Sequence, residues 1–195
     1  MSGKKVDTDK IEKAVSEILI AVGEDTDRKG LKRTPERVAM MHVELLAGMR
    51  EDTKAHLHDA FPENCDEIIL LRDIPFHSIC EHHMMPFIGS AHVAYLPSGM
   101  VLGVSKLARI VNCFASRLQT QERLAYQIAD FMMNSLKPQG VAVALEASHS
   151  CMTIRGVKKP GSVMVTLALR GIFKKDIRRR NEVMSLMHSN RILSI

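Results

Sequence analysis

Two short segments, Cys80-Glu81-His82-His83 and His149-Ser150-Cys151, place two thiols and three imidazoles in a chain of 195 residues. Thiolate and imidazole are ligands for zinc and similar metals, and imidazole also exchanges protons near neutral pH. His82 and His83 are adjacent, so their side chains diverge in an extended or a helical backbone alike; one can ligate while the other faces a substrate. His149 and Cys151 are two apart, which on a strand turns both to one face. Cys80, one histidine of the pair and Cys151 make a three-ligand set suited to zinc, with a fourth position open for water. An open position separates a catalytic site from a structural one. The competing readings are a structural zinc and, for each histidine alone, a hydrogen-bonded core residue. A closed four-ligand site would leave at least one ionisable neighbour of this cluster without a role.

The elements that must position these groups follow from periodicity. Ile11, Val15, Ile18 and Val22 form one stripe, predicting a helix over 8–22 that Gly23 ends. Thr34 as cap and Pro35 at the first helical position predict a second helix reaching about residue 47. Residues 48–67, mixed in polarity, read as a linker or an irregular excursion. Strands are predicted over 68–74 and 88–96, the latter closed by Pro97-Ser98-Gly99. Ser105 can cap a helix carrying Leu107, Ile110, Val111, Phe114 and Leu118. Leu124, Ile128, Met132 and Leu136 mark the next, stopped by Pro138-Gln139-Gly140. Residues 141–148 and 163–169 return to strand character, joined through a basic, turn-rich stretch at 155–161. The order is α+β. Met84-Met85 and Met132-Met133 are read as packing.

A hydrophobic fraction of 46% supports a real core, with a helical N-terminal appendage. The regions are 1–66, helical region and linker; 67–173, catalytic core; and 174–195, a basic C-terminal tail. No long apolar run predicts a membrane span, and the charged opening residues do not form a basic-then-apolar leader. Four cysteines, two of them in the cluster, do not make a disulfide framework, so a reducing cytoplasm is expected. A net charge of +5 favours an anionic ligand, while 4% aromatic residues and no tryptophan argue against a stacking platform for nucleic acid. The run Lys174-Lys175 and Arg178-Arg179-Arg180 reads as a solvated tail, and neither nucleic acid nor membrane is an expected partner.

The run Arg72-Asp73-Ile74-Pro75-Phe76-His77-Ser78-Ile79-Cys80-Glu81-His82-His83-Met84-Met85-Pro86-Phe87 resembles the signature of GTP cyclohydrolase I, the zinc-dependent type. The resemblance continues through Leu102-Gly103-Val104-Ser105-Lys106-Leu107-Ala108-Arg109, Leu118-Gln119-Thr120-Gln121-Glu122-Arg123-Leu124 and His149-Ser150-Cys151-Met152-Thr153-Ile154-Arg155-Gly156, spanning about residues 7–173. It implies a tunnelling fold: an antiparallel sheet with outer helices, continued around a ring of five subunits, two rings making a homodecamer with active sites between subunits. It also implies Zn2+ on Cys80, His83 and Cys151, catalytic His82 and His149, and Ser105 assisting at the ribose. Gln121 and Glu122 would read the purine, and Lys106, Arg109, Arg155 and Arg37 would hold the triphosphate.

These implied roles are chemically coherent. A carboxylate can accept from guanine N1 and its exocyclic amine, a pattern adenine reverses. Arginine's planar fork suits phosphate oxygens, and Lys106 and Arg109 share a helix face near a helix start. Without the resemblance, those two read equally as solvated helix surface, and Glu122 as an exposed ion-pair partner. The implied reaction converts GTP and water into 7,8-dihydroneopterin triphosphate and formate, a step toward pterins and folates. The alternatives are a structural-zinc protein that binds nucleotide without turnover, a tunnelling-fold enzyme acting on another purine-like substrate, and a basic nucleic-acid-binding module. Some members of the family are governed by a separate regulatory protein, a property the motifs alone do not transfer.

Overall fold

The computed structural model describes residues 5–57 and 60–188. Its N-terminal part is a pair of helices, α1 (Thr8–Ala21) and α2 (Thr34–Leu45). Asp7 caps α1 by accepting from Lys10 N, and Gly23 leaves it at φ 86°, a left-handed conformation that glycine adopts without steric cost. At α2 the cap is Arg33 rather than Thr34, which is already helical with Pro35 behind it. The stretch expected to be a linker or irregular excursion carries two 3-10 turns, Ala47–Met49 and Thr53–Leu57, and a short strand β1 (Phe61–Pro62).

The core is built on β2 (Ile69–Cys80), β3 (Pro86–Leu96), β5 (Leu118–Gln119), β6 (Gly140–His149) and β7 (Met164–Gly171). The sheet order is β5-β2-β3-β6-β7, antiparallel except for the parallel β5–β2 contact; β4 (Met100–Val101) pairs separately with β1. β2 runs six residues beyond the strand predicted to end at Ile74. A bulge between Leu71 and Ile74, with Asp73 at φ 56°, breaks the alternation there, and pairing resumes through Ile79↔Pro86.

Two helices, α3 (Val104–Ala115) and α4 (Gln121–Leu136), cover one face of the sheet. Their Leu107, Ile110, Leu124 and Ile128 pack with Phe87, Val93, Tyr95, Val143 and Leu145 into the main core. Gly103, not Ser105, is the cap of α3; Ser105 is exposed in the first turn. On the opposite face, β3 and β6 present Ala94, Leu96, Ala142 and Ala144 to Phe173, Val183 and Met187. Those come from α6 (Ile172–Lys175) and α7 (Ile177–His188), so the segment expected as a solvated tail is in this part a packed helix. Arg180, one turn before Val183, is half-buried and donates to the Phe173 and Lys174 carbonyls, while Arg178 is exposed. Residues 189–195 of the expected tail lie outside the described residues.

The central strands are therefore buried on both faces, which is why residues 141–145 form one continuous buried run without alternation. Gly89 permits the close approach of β3 and β6: a Cβ there would lie 1.9 Å from Glu146 O. The result is an α+β tunnelling fold, its antiparallel sheet flanked by helices on both faces.

Candidate active site

The site forms where three chain segments end together. β2 ends at Cys80, and a tight hairpin returns the chain to β3: Cys80 N donates to Met85 O at 2.9 Å and Met84 N to Cys80 O at 2.8 Å, with Met84 at φ 52°. Glu81, His82 and His83 make its tip. Beside it, β6 ends at His149 and the chain turns into the single-turn α5 (Ser150–Thr153), which carries Cys151. The strand geometry predicted for His149 and Cys151 thus does not hold, yet the turn brings both to the same cavity. The third contributor is the start of α4, with Gln121 and Glu122 in its first turn and Thr120 as its cap.

These segments line a cavity of about 230 Å3 with Cys80, His82, His83, Gln121, Glu122, His149 and Cys151 on its wall. Gln119, Thr120, Met152 and Met164 complete the lining. A larger depression, about 860 Å3, lies between α1 and α2 and is lined by side chains such as Glu12, Lys13, Ser16, Glu17 and Lys32, without cysteine or histidine.

One ligand atom from each of Cys80, His83 and Cys151 lies within 4.8 Å of the other two. Two sulfurs and one imidazole nitrogen match zinc in softness and number, with the cavity on the open side. Burial first, and then the neighbouring Cys80, push the Cys151 thiol up. Two adjacent thiols oppose each other's ionisation, and a divalent cation between them removes that opposition. The residues present fit the metal.

The adjacent histidines do diverge: the His82 and His83 rings stand at 84° with centroids 6.4 Å apart. His82 remains exposed, with Nδ1 3.9 Å from Cys80 Sγ. Arg155, just beyond α5, places Nη1 3.0 Å from His83 Nε2.

His149 is held from two sides. Its ring stacks on Phe87 at 4.5 Å and 5°, and its Nε2 lies 2.8 Å from Gln121 Oε1. Gln121 is itself buried, with Nε2 donating toward Leu145 O at 3.0 Å and Met164 O at 2.9 Å. Backbone carbonyls only accept, so the amide nitrogen must face them and the amide oxygen must face His149. His149 Nε2 consequently carries a hydrogen, and Nδ1 is the atom left to gain or lose a proton. Burial lowers the His149 pKa below the usual histidine value, with Glu122 pulling weakly the other way. The Gln121 amide, assigned by resemblance to the purine, is thus committed to the protein, and Glu122 is the exposed acceptor beside it.

Sequence reasoning missed Phe87 as the platform for His149 and the ion pair between Arg123 and Glu81. A bare arginine after Thr120-Gln121-Glu122 offers a weak signal, because the partner lies far away in the chain. Ser105, Lys106 and Arg109 sit in the first turns of α3 and Arg37 on α2, none of them in the cavity lining. A second group with metal-ligating chemistry, Glu51, His56 and Cys113, also lies within 4.8 Å. There Cys113 Sγ lies 3.2 Å from Thr53 Oγ1 and 3.4 Å from Arg117 Nη2, and neither the start of α4 nor a histidine of the first cluster lies in that group.

Comparison with known proteins places this geometry. The chain is 56% identical over 187 residues to GTP cyclohydrolase 1 of Thermoanaerobacter pseudethanolicus, covering 95% of this chain and 100% of that one. It is 56% identical over 183 residues to the enzyme of that name from Carboxydothermus hydrogenoformans (93% and 95% covered) and 55% over 184 residues to that of Rhodopirellula baltica (94% and 80%). Among solved structures, the archaeosine synthase QueF-Like overlaps 53% of this chain and 93% of its own, at 19% identity and a TM-score of 0.45. The GTP cyclohydrolase I family model matches residues 11–188, a span that takes in the hairpin, the turn into α5 and the start of α4 together. With every segment of the cavity inside that match, the chain belongs to the GTP cyclohydrolase I family.

Proposed function

We propose that this chain is a GTP cyclohydrolase I, converting GTP and water into 7,8-dihydroneopterin triphosphate and formate. The observation that carries the reading is the convergence of Cys80, His83 and Cys151 with His82, His149 and Glu122 on one cavity. Near-full-length similarity to proteins named for this activity supports it.

Zn2+ held by Cys80, His83 and Cys151 would supply an activated water for attack at C8 of the purine. Glu122, exposed in the first turn of α4, accepts from guanine N1–H and the exocyclic amine. His149, fixed with Nε2–H on Gln121, takes a proton at Nδ1 from the attacking water and passes it to the neighbouring ring nitrogen as the C8 bond opens. Its lowered pKa keeps it neutral at the outset, so it must take up that proton during turnover. His82, exposed to solvent, moves protons as formate departs. Ser105 assists at the ribose before the new ring closes.

The cavity is smaller than the roughly 300–1,000 Å3 of a site that encloses a whole ligand. It holds the base, while the triphosphate extends toward Arg155 and toward Lys106, Arg109 and Arg37. We propose that these come together across subunits of a homodecamer of two pentamers. Two observations support assembly. Along the edge strand β7, Val165 and Leu167 are exposed, as is Val163 just before it; α1 buries none of its residues within the chain, leaving Ile18 and Ile20 exposed. Pterin and folate synthesis is the metabolic setting, and four unpaired cysteines suit a reducing cytoplasm. No described helix is long and apolar enough to cross a membrane.

Incubating zinc-loaded protein with GTP tests the reading. Formate and a pterin that fluoresces after oxidation should appear together. Tight GTP binding with no formate would instead identify a nucleotide-binding protein with a structural metal.

A further inference from the structure

The start of α4 breaks a helix rule. Arg123 is the third residue of the helix, beside the positive end of its dipole, where acidic side chains are favoured and a cation is not. Thr120 caps the helix by accepting from Arg123 N at 3.3 Å, but position 123 lacks the Glu or Gln that would complete a reciprocal capping box. The guanidinium instead leaves the helix and places Nη2 2.5 Å from Glu81 Oε2. Glu81 follows Cys80 directly and begins the hairpin tip that carries His82 and His83.

The same two segments are already joined once. Cys80 pairs with Gln119 across the parallel β2–β5 contact, and Glu81 N donates to Gln119 O at 3.0 Å. These bonds, with Ile79↔Leu118, all lie along one short strand contact that ends at Glu81 N, and none of them reaches the hairpin from the helix itself. The Glu81–Arg123 pair supplies a second attachment, from a side chain one helical turn away from that strand. Two points fix orientation. What they orient are opposite ends of the reacting base: the hairpin bears the ligand and shuttle histidines, and the helix start bears Gln121, which holds His149, and Glu122.

We propose that Arg123 is a positioning residue: with Glu81 it clamps the metal-ligating hairpin to the purine-reading start of α4 and so sets the span between the metal and the carboxylate that holds guanine. The inference rests on the GTP cyclohydrolase reading above. Its signature is a loss of catalysis out of proportion to stability. The partners are partly exposed, at 41% for Arg123 and 32% for Glu81, so the pair contributes little to folding. A misplacement of about 1 Å at a reacting centre, in contrast, costs on the order of 100-fold in rate.

The test compares Arg123→Met, Glu81→Gln, the double variant and Arg123→Lys with the wild-type oligomer. Readouts are zinc per chain, the urea unfolding midpoint, kcat and KM for GTP, guanosine affinity by calorimetry, and inhibition by inorganic triphosphate. Each single variant should lose on the order of 10- to 100-fold in kcat/KM and bind guanosine more weakly. Zinc content, urea midpoint and the triphosphate inhibition constant should stay near wild type. The double variant should be no worse than the weaker single, and Arg123→Lys should recover part of the loss. Wild-type kcat/KM in both singles would overturn the proposal, as would losses that multiply in the double. So would loss of zinc or of folding in step with activity. If Arg123→Met fails to fold, Glu81→Gln and Arg123→Lys decide alone. A wild-type protein that releases no formate refutes the parent reading instead, and the guanosine and triphosphate constants still judge the clamp.

Discussion

Replacing Gln121 with leucine separates a held histidine from a merely nearby one. The wild-type amide gives hydrogens to two carbonyls, Leu145 O and Met164 O, and an oxygen to His149 Nε2. Leucine fills a similar volume but offers none of these. Each buried carbonyl left without a donor costs about 1–3 kcal/mol. Met164 opens β7 and can recruit water, so its share falls at the low end, and the sum comes to about 2–4 kcal/mol. Against a domain stability of about 5–15 kcal/mol, the variant folds but unfolds at a clearly lower urea midpoint. The catalytic effect has a different origin. Without the amide oxygen, nothing selects the Nε2–H form of His149, and purine ring opening in a single turnover should slow by about 100-fold or more, the scale of a lost proton-transfer group. Gln121→Glu divides the two effects, since it keeps an oxygen toward His149 but cannot donate to the carbonyls. It should lose stability like leucine and lose less rate. If Gln121→Leu matches wild type in both urea midpoint and single-turnover rate, the described network does not operate.

Cys151→Ala removes one of the two sulfurs and should abolish stoichiometric zinc, read by metal analysis under reductant, while the oligomer persists on a sizing column. Gly89→Ala would put a Cβ 1.9 Å from Glu146 O and 2.7 Å from Ala147 Cα. Backbone atoms cannot give way cheaply, so a urea titration should show a loss of at least about 1–3 kcal/mol; an unchanged midpoint would contradict the β3–β6 register. His92 is buried, with Nδ1 accepting from Asp73 N, and burial lowers its pKa despite the Asp73 and Glu146 carboxylates; Arg72 and His188 add to the lowering. The unfolded chain therefore binds this proton more readily, and the associated stability is present above pH about 6.5 and is lost as pH falls toward the folded pKa. His92→Gln should flatten the fall of the urea midpoint between pH 7 and pH 5; an unchanged slope would show that His92 does not contribute.

Short-range chemistry and long runs of periodicity made much of this legible from sequence. The stripes through Ile11 to Val22 and Leu124 to Leu136 correspond to α1 and α4 within three residues at either end, and the three ligand groups do meet. What escaped was long-range or locally irregular. Asp73 and Pro75 disguised a strand that continues to Cys80, because a bulge resets alternation in a way that no pattern of period two anticipates. The helix α7 was hidden by its charge: only Val183 and Met187 are buried on it, too few to stand out among arginines. The commitment of Gln121 to two strand carbonyls, and of Arg123 to Glu81, depends on partners tens of residues away. Cys151 reached the cavity by a helical turn instead of a strand face, an outcome to which residue spacing is blind.

The central claim is that the metal-ligating end of the cavity acts on C8 of a guanine held by Glu122. GTP carrying isotopic carbon only at C8 tests it most directly, with zinc-loaded protein and both products quantified. The label should leave entirely as formate, one for each GTP consumed, with none in the pterin, and Cys151→Ala should release none. Label retained in the nucleotide or in the pterin, or equal release by Cys151→Ala protein stripped of zinc, would contradict it.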